Sequence, residues 1–264
     1  MMDLILYVNA QIARVKTLLA YRGRSWRNLP IKESGEPLVV VPKEMCHSFY
    51  CLEMKLIDSP VIFLRRATLN MYLEARKIML SLGYDILVYD GWRSLVLQEN
   101  LFWHYFKQFT VGRFNMQERF VGAKSPQEIK EVFNQLPESL RLSMKEANRT
   151  YVSWPSSDPL SPSPHSTGGS IDVWPYKNGQ PMNLGVPFDW MDDEAGAFYH
   201  LKTRRRKFFG NDGVACRNRN ALLYAMTKAG FSCYGPEIWH FNHGNQMDSL
   251  VKGGMAAYSY IEPG

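Results

Sequence analysis

The thirteen residues from Ser153 to His165 hold four prolines and five serines. Proline fixes φ and removes a backbone donor, so no helix or central strand can run through this stretch. Any fold the chain adopts must take it as a loop. A run of chemically loaded residues begins at its end, at His165, so the stretch reads as an ordered loop that approaches an active site.

Around that loop the elements are mixed. The chain to about residue 60 reads as irregular, with a strand at Leu38 to Val41. Leu69, Tyr72, Leu73, Met79 and Leu80 share one face of a helix from about Thr68 to Leu82, and Gly83 is a natural residue to follow its end. Ile86 to Tyr89 is a short strand that ends in the turn Asp90-Gly91-Trp92-Arg93; Ser94 can cap a helix running to about Phe106. Residues 107–150 read as an inserted helical hairpin. There Ser125-Pro126-Gln127-Glu128 has the form of a capping box with proline at the first helical position. Ile129, Val132, Phe133 and Leu136 follow at i, i+3, i+4 and i+7, and Pro137 closes that helix and opens a second to about Asn148. Ser170 to Trp174 is a strand, and Arg217 to Ala229 is a helix stopped by Gly230. This is not a regular β-α alternation, and it argues an α+β fold.

With 264 residues, area scaling gives about 73% of the unfolded surface buried, enough for a sizeable core without staples. We read residues 1–264 as a single domain with the helical insertion at 107–150. Hydrophobic residues make up 45% and charged residues 21%, which excludes disordered and collagen-like chains. Four cysteines, at 46, 51, 216 and 233, are too few for a disulfide framework and read as ordinary thiols. No run approaches the ~18 apolar residues of a membrane span. The start, Met1-Met2-Asp3-Leu4-Ile5-Leu6, lacks the basic region and small-residue cleavage site of an export signal, so a cytoplasmic location is expected. Of the net charge of +6, Lys202, Arg204, Arg205, Arg206 and Lys207 account for five. That is a local patch rather than a basic protein, and it reads as a solvated face rather than a nucleic-acid contact.

The chemistry concentrates in two segments. In the first, His165 and Asp172 are separated by Gly168-Gly169, which permits a sharp turn that folds the pair together. Asp172 alternates with Ile171 and Val173, so it points away from both. In the second, Pro236-Glu237-Ile238-Trp239-His240, a carboxylate and an imidazole stand three apart in an apolar stretch, where each needs a compensating partner. His165, Asp172 and His240 together offer two nitrogens and one oxygen, the three-ligand set of a catalytic zinc site with a fourth position open to water. Glu237 is then a spare carboxylate able to take a proton from that water. His243 is a rival ligand. Trp92, Trp154, Trp174, Trp190 and Trp239 read as core or cleft wall, and His47, His104 and His200 carry no assigned role.

The strings Ser163-x-His165-x-x-Gly168-x-x-x-Asp172 and Glu237-x-Trp239-His240 closely resemble the two signatures of the zinc D-Ala-D-Ala peptidases. Further strings resemble the VanX-type D-alanyl-D-alanine dipeptidases: Ile171-Asp172 ending the first signature, Phe188-Asp189-x-Met191-Asp192, Tyr89-Asp90-Gly91-Trp92-Arg93, and Asn218-Arg219 before Gly230-Phe231. The likeness spans roughly residues 65–106 and 160–245. It implies a small, mainly antiparallel sheet carrying a Zn²⁺ site and flanked by helices. It also implies hydrolysis of D-Ala-D-Ala, with His165, Asp172 and His240 as ligands and Glu237 as general base. By the same likeness Arg93 stabilises the oxyanion, and Ser163 and Asp189 hold the dipeptide, Asp189 through its ammonium group. The chain departs from the pattern at Ser94, where the family often has proline. Arg93-Ser94 followed by Gln98 is similar to the related D,D-carboxypeptidases. Two other readings stay open: a D,D-carboxypeptidase trimming longer cell-wall peptides, and a non-catalytic zinc-containing module whose basic run binds an anionic partner.

Overall fold

A computed structural model describes residues 1–149, 152–201 and 213–263. Seven strands are present among them: β1 (Leu38–Val40), β2 (Phe63–Arg65), β3 (Asp85–Asp90), β4 (Ser170–Lys177), β5 (Gln180–Pro181), β6 (Ser232–Cys233) and β7 (His240–Asn242). The main sheet runs β3-β4-β7-β6, with β5 added beside β4, and every pairing in it is antiparallel. β1 and β2 form a separate antiparallel pair. Helices flank the sheet, so the chain is an α+β single domain of the expected kind.

β4 is the central strand. Its apolar face, Ile171 and Val173, is fully buried in the core, as alternation requires. Its other face, Ser170 and Asp172, is equally buried but polar. A buried polar face must find partners, and this one supplies the floor of the site.

Several helices follow from local chemistry. Arg66–Ser81 buries Tyr72, Ala75 and Met79. Leu95–Tyr105 starts where the Ser94 side chain accepts from the Leu97 amide. Pro126–Asn134 begins with the full capping box, Ser125 and Glu128 each bonding the other's backbone. It buries Ile129 and Phe133, and Phe133 packs on Trp103 and Phe106. Glu138–Asn148 follows directly. Val214–Ala229 ends at Gly230 with φ 112°, a conformation that glycine adopts freely.

The N-terminal expectation is corrected. In place of an irregular start, Met2–Tyr21 is a twenty-residue helix lying on Val214–Ala229. Its inner face is built from small residues, Ala10, Ala13 and Ala20, with Leu6 and Thr17. Its outer face is also apolar, with Ile5, Val8, Ile12, Val15 and Leu19 exposed. With apolar residues on both faces, the polar stripe that normally betrays a surface helix is missing. No helix among the described residues is long and apolar enough to cross a membrane. The basic run 202–207 lies outside the described residues.

Candidate metal centre and active site

Three segments deliver three side chains to one point. His165 opens a short 3₁₀ turn, His165–Thr167, that ends at Gly168 with φ 70°. That φ is one that side-chain-bearing residues rarely adopt, and a Cβ there would also press to 3.2 Å on the Arg65 backbone nitrogen, so glycine suits the reversal. The turn feeds β4, which carries Asp172. β7 pairs with β4 so that His240 lies directly opposite Asp172. In this way the two residues seven apart in sequence and the distant histidine converge, all three buried.

His165 Nε2 lies 3.4 Å from Asp172 Oδ2, His240 Nδ1 lies 3.0 Å from Asp172 Oδ1, and the two ring nitrogens are 3.1 Å apart. Such spacings are close to the ~3.3 Å edges of a tetrahedron with bonds of about 2.0–2.1 Å, the geometry of zinc with N and O ligands. The outer ring nitrogens are held away from the cluster. His165 Nδ1 faces the Gly91 carbonyl at 2.7 Å, and His240 Nε2 faces Asn242 Oδ1 at 3.1 Å. Asn242 Oδ1 is fixed in turn by Ser170 and Asn245. Partners of this kind set the tautomer and aim the inner nitrogen at a metal. Apart from the His240 nitrogen beside it, buried Asp172 Oδ1 has no polar partner, and an ion would satisfy it. Burial works against the Asp172 charge, yet His165 and His240 outweigh it and hold its pKa well below the usual carboxylate range. The residues present therefore fit a divalent cation. His243, the rival ligand, lies outside this group, with Nδ1 3.9 Å from Asp248.

Glu237, just before β7, brings Oε2 to 3.8 Å from His240 Nδ1. Its side chain keeps 32% of its surface open to the cleft, and protein encloses the rest. Desolvation pushes its pKa up to about 7; the nearby Asp172 and Asp189 carboxylates add to this, and His240 and Arg93 oppose it. A carboxylate poised near neutrality can both accept and return a proton.

Arg93 lies at the cleft wall. Its Nε and Nη2 donate to Asp90 Oδ2 at 2.9 and 2.7 Å, its Nη1 donates to Gln98 Oε1 at 3.0 Å, and Nη2 comes within 3.8 Å of Asp172. Burial disfavours its charge, but Asp90, Tyr50 and Asp172 reverse the balance and raise its pKa, so Arg93 is a permanent cation. Gln98, whose amide also donates to the Ser153 carbonyl, ties the proline-rich loop to this arginine.

Two tyrosines far away in sequence grip Asp189. The Tyr50 hydroxyl donates to Asp189 Oδ2 at 3.1 Å, and the Tyr105 hydroxyl donates to the same oxygen. Desolvation nevertheless pushes Asp189 up to about 6, against the opposing pull of Tyr105 and Arg93. Ser163 is buried, and its hydroxyl has no partner among the described residues. Ser163, Asp189, Arg93 and Glu237 line one cavity with His165, Asp172 and His240, and its volume is about 920 Å³. All seven residues singled out from the sequence thus share one cleft.

Sequence reasoning gave no role to Asp90, Tyr50 or Tyr105. Asp90 stood within a quoted turn, but only the fold shows it beside His165 Nδ1 at 3.4 Å and under Arg93. Of the five tryptophans named from the sequence, Trp174 and Trp239 are buried and pack against Phe188, one edge-on and one tilted, and Trp190 is exposed at the cavity wall. No disulfide joins any of the four cysteines, and no metal-holding group among the described residues includes one.

Comparison with known proteins gives a consistent picture. The family described as D-Ala-D-Ala dipeptidase matches residues 123–258, just over half of the chain. A D-alanyl-D-alanine dipeptidase of Synechocystis sp. is 27% identical over 235 residues, covering 83% of this chain and 86% of the relative. A D-alanyl-D-alanine dipeptidase of Enterococcus faecium is 31% identical over 86 residues, which is 31% of this chain and 37% of the relative.

Proposed function

We propose that this chain, which belongs to the D-Ala-D-Ala dipeptidase family, is a zinc metallopeptidase that hydrolyses D-alanyl-D-alanine. The observation that carries the reading is the buried group His165, Asp172 and His240 with Glu237 beside it. A structural site has no use for a spare carboxylate whose pKa is lifted to about 7, which argues against the non-catalytic module.

His165, Asp172 and His240 would hold the ion. When bound, Zn²⁺ supplies a Lewis acid and makes a water acidic enough to attack near neutral pH. Glu237 then accepts the proton that the attacking water loses as its oxygen bonds to the scissile carbonyl carbon. As the carbon–nitrogen bond breaks, Glu237 returns that proton to the leaving amine, so no proton is left over. Arg93 faces the carbonyl oxygen as it becomes negative, and the grip of Asp90 and Gln98 means that little reorganisation is needed at that moment. Asp189 accepts the substrate ammonium, and the free Ser163 hydroxyl meets the peptide. Because Asp189 interacts with a charge that is the same before and during reaction, its contribution falls on binding.

One observation favours a second reading. The cavity of about 920 Å³ lies near the top of the ~300–1,000 Å³ range for drug-sized ligands, so a dipeptide leaves much of it unfilled. That space suits a D,D-carboxypeptidase acting on a longer peptide. A hydrolysis panel of D-Ala-D-Ala, its N-acetyl form and a pentapeptide ending in D-Ala-D-Ala, run on zinc-loaded protein, separates the two. Cleavage of the free dipeptide alone supports the dipeptidase, and preference for the pentapeptide supports the carboxypeptidase. Cleavage of none removes both.

A further inference from the structure

The N-terminal helix Met2–Tyr21 covers itself on one side only. Leu6, Ala10, Ala13, Thr17 and Ala20 are buried against the body of the protein. The opposite face shows Ile5, Val8, Ile12, Val15 and Leu19, each with 45–63% of its surface open, and Met1 at the end of the row is fully exposed. The steps along this row are four, three, four, three, four. That is the a/d spacing of a coiled-coil seam. No charged side chain falls within it.

Leu4 and Leu18 flank the seam and are also exposed. From Leu4 to Leu19 the large apolar side chains present on the order of 700 Å², more than the ~300–600 Å² of the largest patch on an ordinary monomer. Met1, fully exposed at the end of the row, carries the stripe past the ~800 Å² per partner that a standard stable interface buries.

The spacing also reads the same from either end. A second helix of identical sequence, laid antiparallel, sets Met1 against Leu19, Ile5 against Val15 and Val8 against Ile12. Each of the two inner layers then joins an isoleucine to a valine. On one flank Leu4 meets Leu18 of the other copy, and Gln11 meets its own counterpart near the two-fold axis. A self-complementary surface of this kind is what a closed two-fold dimer requires. We propose that the outer face of Met2–Tyr21 is the contact with a second copy of this chain, formed by antiparallel pairing of the two N-terminal helices. This rests on the helix alone and not on the proposed activity.

Sedimentation velocity of the full chain across a concentration series tests it. The unmodified chain is expected to sediment as a dimer. Ile12→Glu, placed twice in the seam by symmetry, is expected to weaken association at least ~30-fold. Val121→Glu, at an exposed apolar position elsewhere, is expected to leave it unchanged. Circular dichroism and the unfolding midpoint check that Ile12→Glu has not unfolded the chain. The double variant Val8→Lys, Ile12→Glu sets a lysine of one copy against a glutamate of the other and should restore the dimer; parallel helices would instead oppose like charges. A chain that stays monomeric at every concentration overturns the proposal, as does a dimer that Ile12→Glu leaves intact. So does a monomer that instead floats with anionic vesicles.

Discussion

Asp90 lies opposite Asp172 across the β3–β4 ladder, just past the bulge that follows Val88. Without the bulge Tyr89 would hold that place; the extra residue re-aims the strand so that a carboxylate faces the site. His165 stands between the two acids, with Nδ1 and Nε2 each 3.4 Å from one of them. Arg93 spans the same gap, 2.7 Å from Asp90 and 3.8 Å from Asp172. Two buried carboxylates on neighbouring strands are tolerable only with a positive group such as Arg93 between them. The four acids Asp90, Asp172, Asp189 and Glu237 outnumber Arg93, the arginine that reaches in among them, and a divalent cation would offset most of the excess.

Asp90→Asn keeps the shape of that residue and removes its charge. Arg93 is then buried without its ion-pair partner, which typically costs about 3–5 kcal/mol of folding stability. Chemical denaturation should register that loss. The metal should also bind about 10–100-fold more weakly, because the carboxylate beside His165 Nδ1 is gone. Unchanged stability together with unchanged metal affinity would remove Asp90 from the supporting shell.

Arg93→Ala should act mainly on kcat. Its guanidinium is fixed before substrate arrives, and in the proposed role the oxyanion it would meet exists only in the transition state. Loss of such a donor commonly costs about 10²–10³ in turnover. Steady-state kinetics that show a raised KM with normal kcat would instead make Arg93 a ground-state binding residue.

Asp189→Asn should raise KM more than it lowers kcat, with a relative gain for an N-acetylated substrate. The pH profile gives a second check. Asp189 has a pKa raised to about 6, so below that pH it is neutral and, in the proposed role, would hold an ammonium poorly. kcat/KM should therefore rise with pH through about 6, and Asp189→Asn should remove that limb. Tyr105→Phe takes away a donor that stabilises the carboxylate, so the limb should move to higher pH. A limb that stays in place in both variants belongs to another group.

Much of the fold was legible because its signals are local. The Ser125–Glu128 capping box, the Ser94 cap and the alternation around Asp172 each lie within a few residues, and each appears as read. The N-terminal helix was not legible, because Ile5, Val8, Ile12, Val15 and Leu19 on its outer face erase the polar periodicity that Leu6, Ala10 and Ala13 would otherwise reveal. At the site, the grouping of His165, Asp172 and His240 with Glu237 beside it could be read because Gly168-Gly169 and the Glu237–His240 spacing are features of short segments. Tyr50 and Tyr105 could not, since each reaches Asp189 from more than 80 residues away along the chain. Asp90 depends on a bulge that no residue type announces.

The most direct test of the central claim is turnover and zinc content measured on the same preparation of Glu237→Gln. Glutamine keeps the shape of the side chain but cannot accept a proton. The account predicts about one zinc per chain, as in the unmodified protein, and a loss of about 10²–10⁴ in kcat for D-Ala-D-Ala. Zinc retained with near-normal turnover would contradict it.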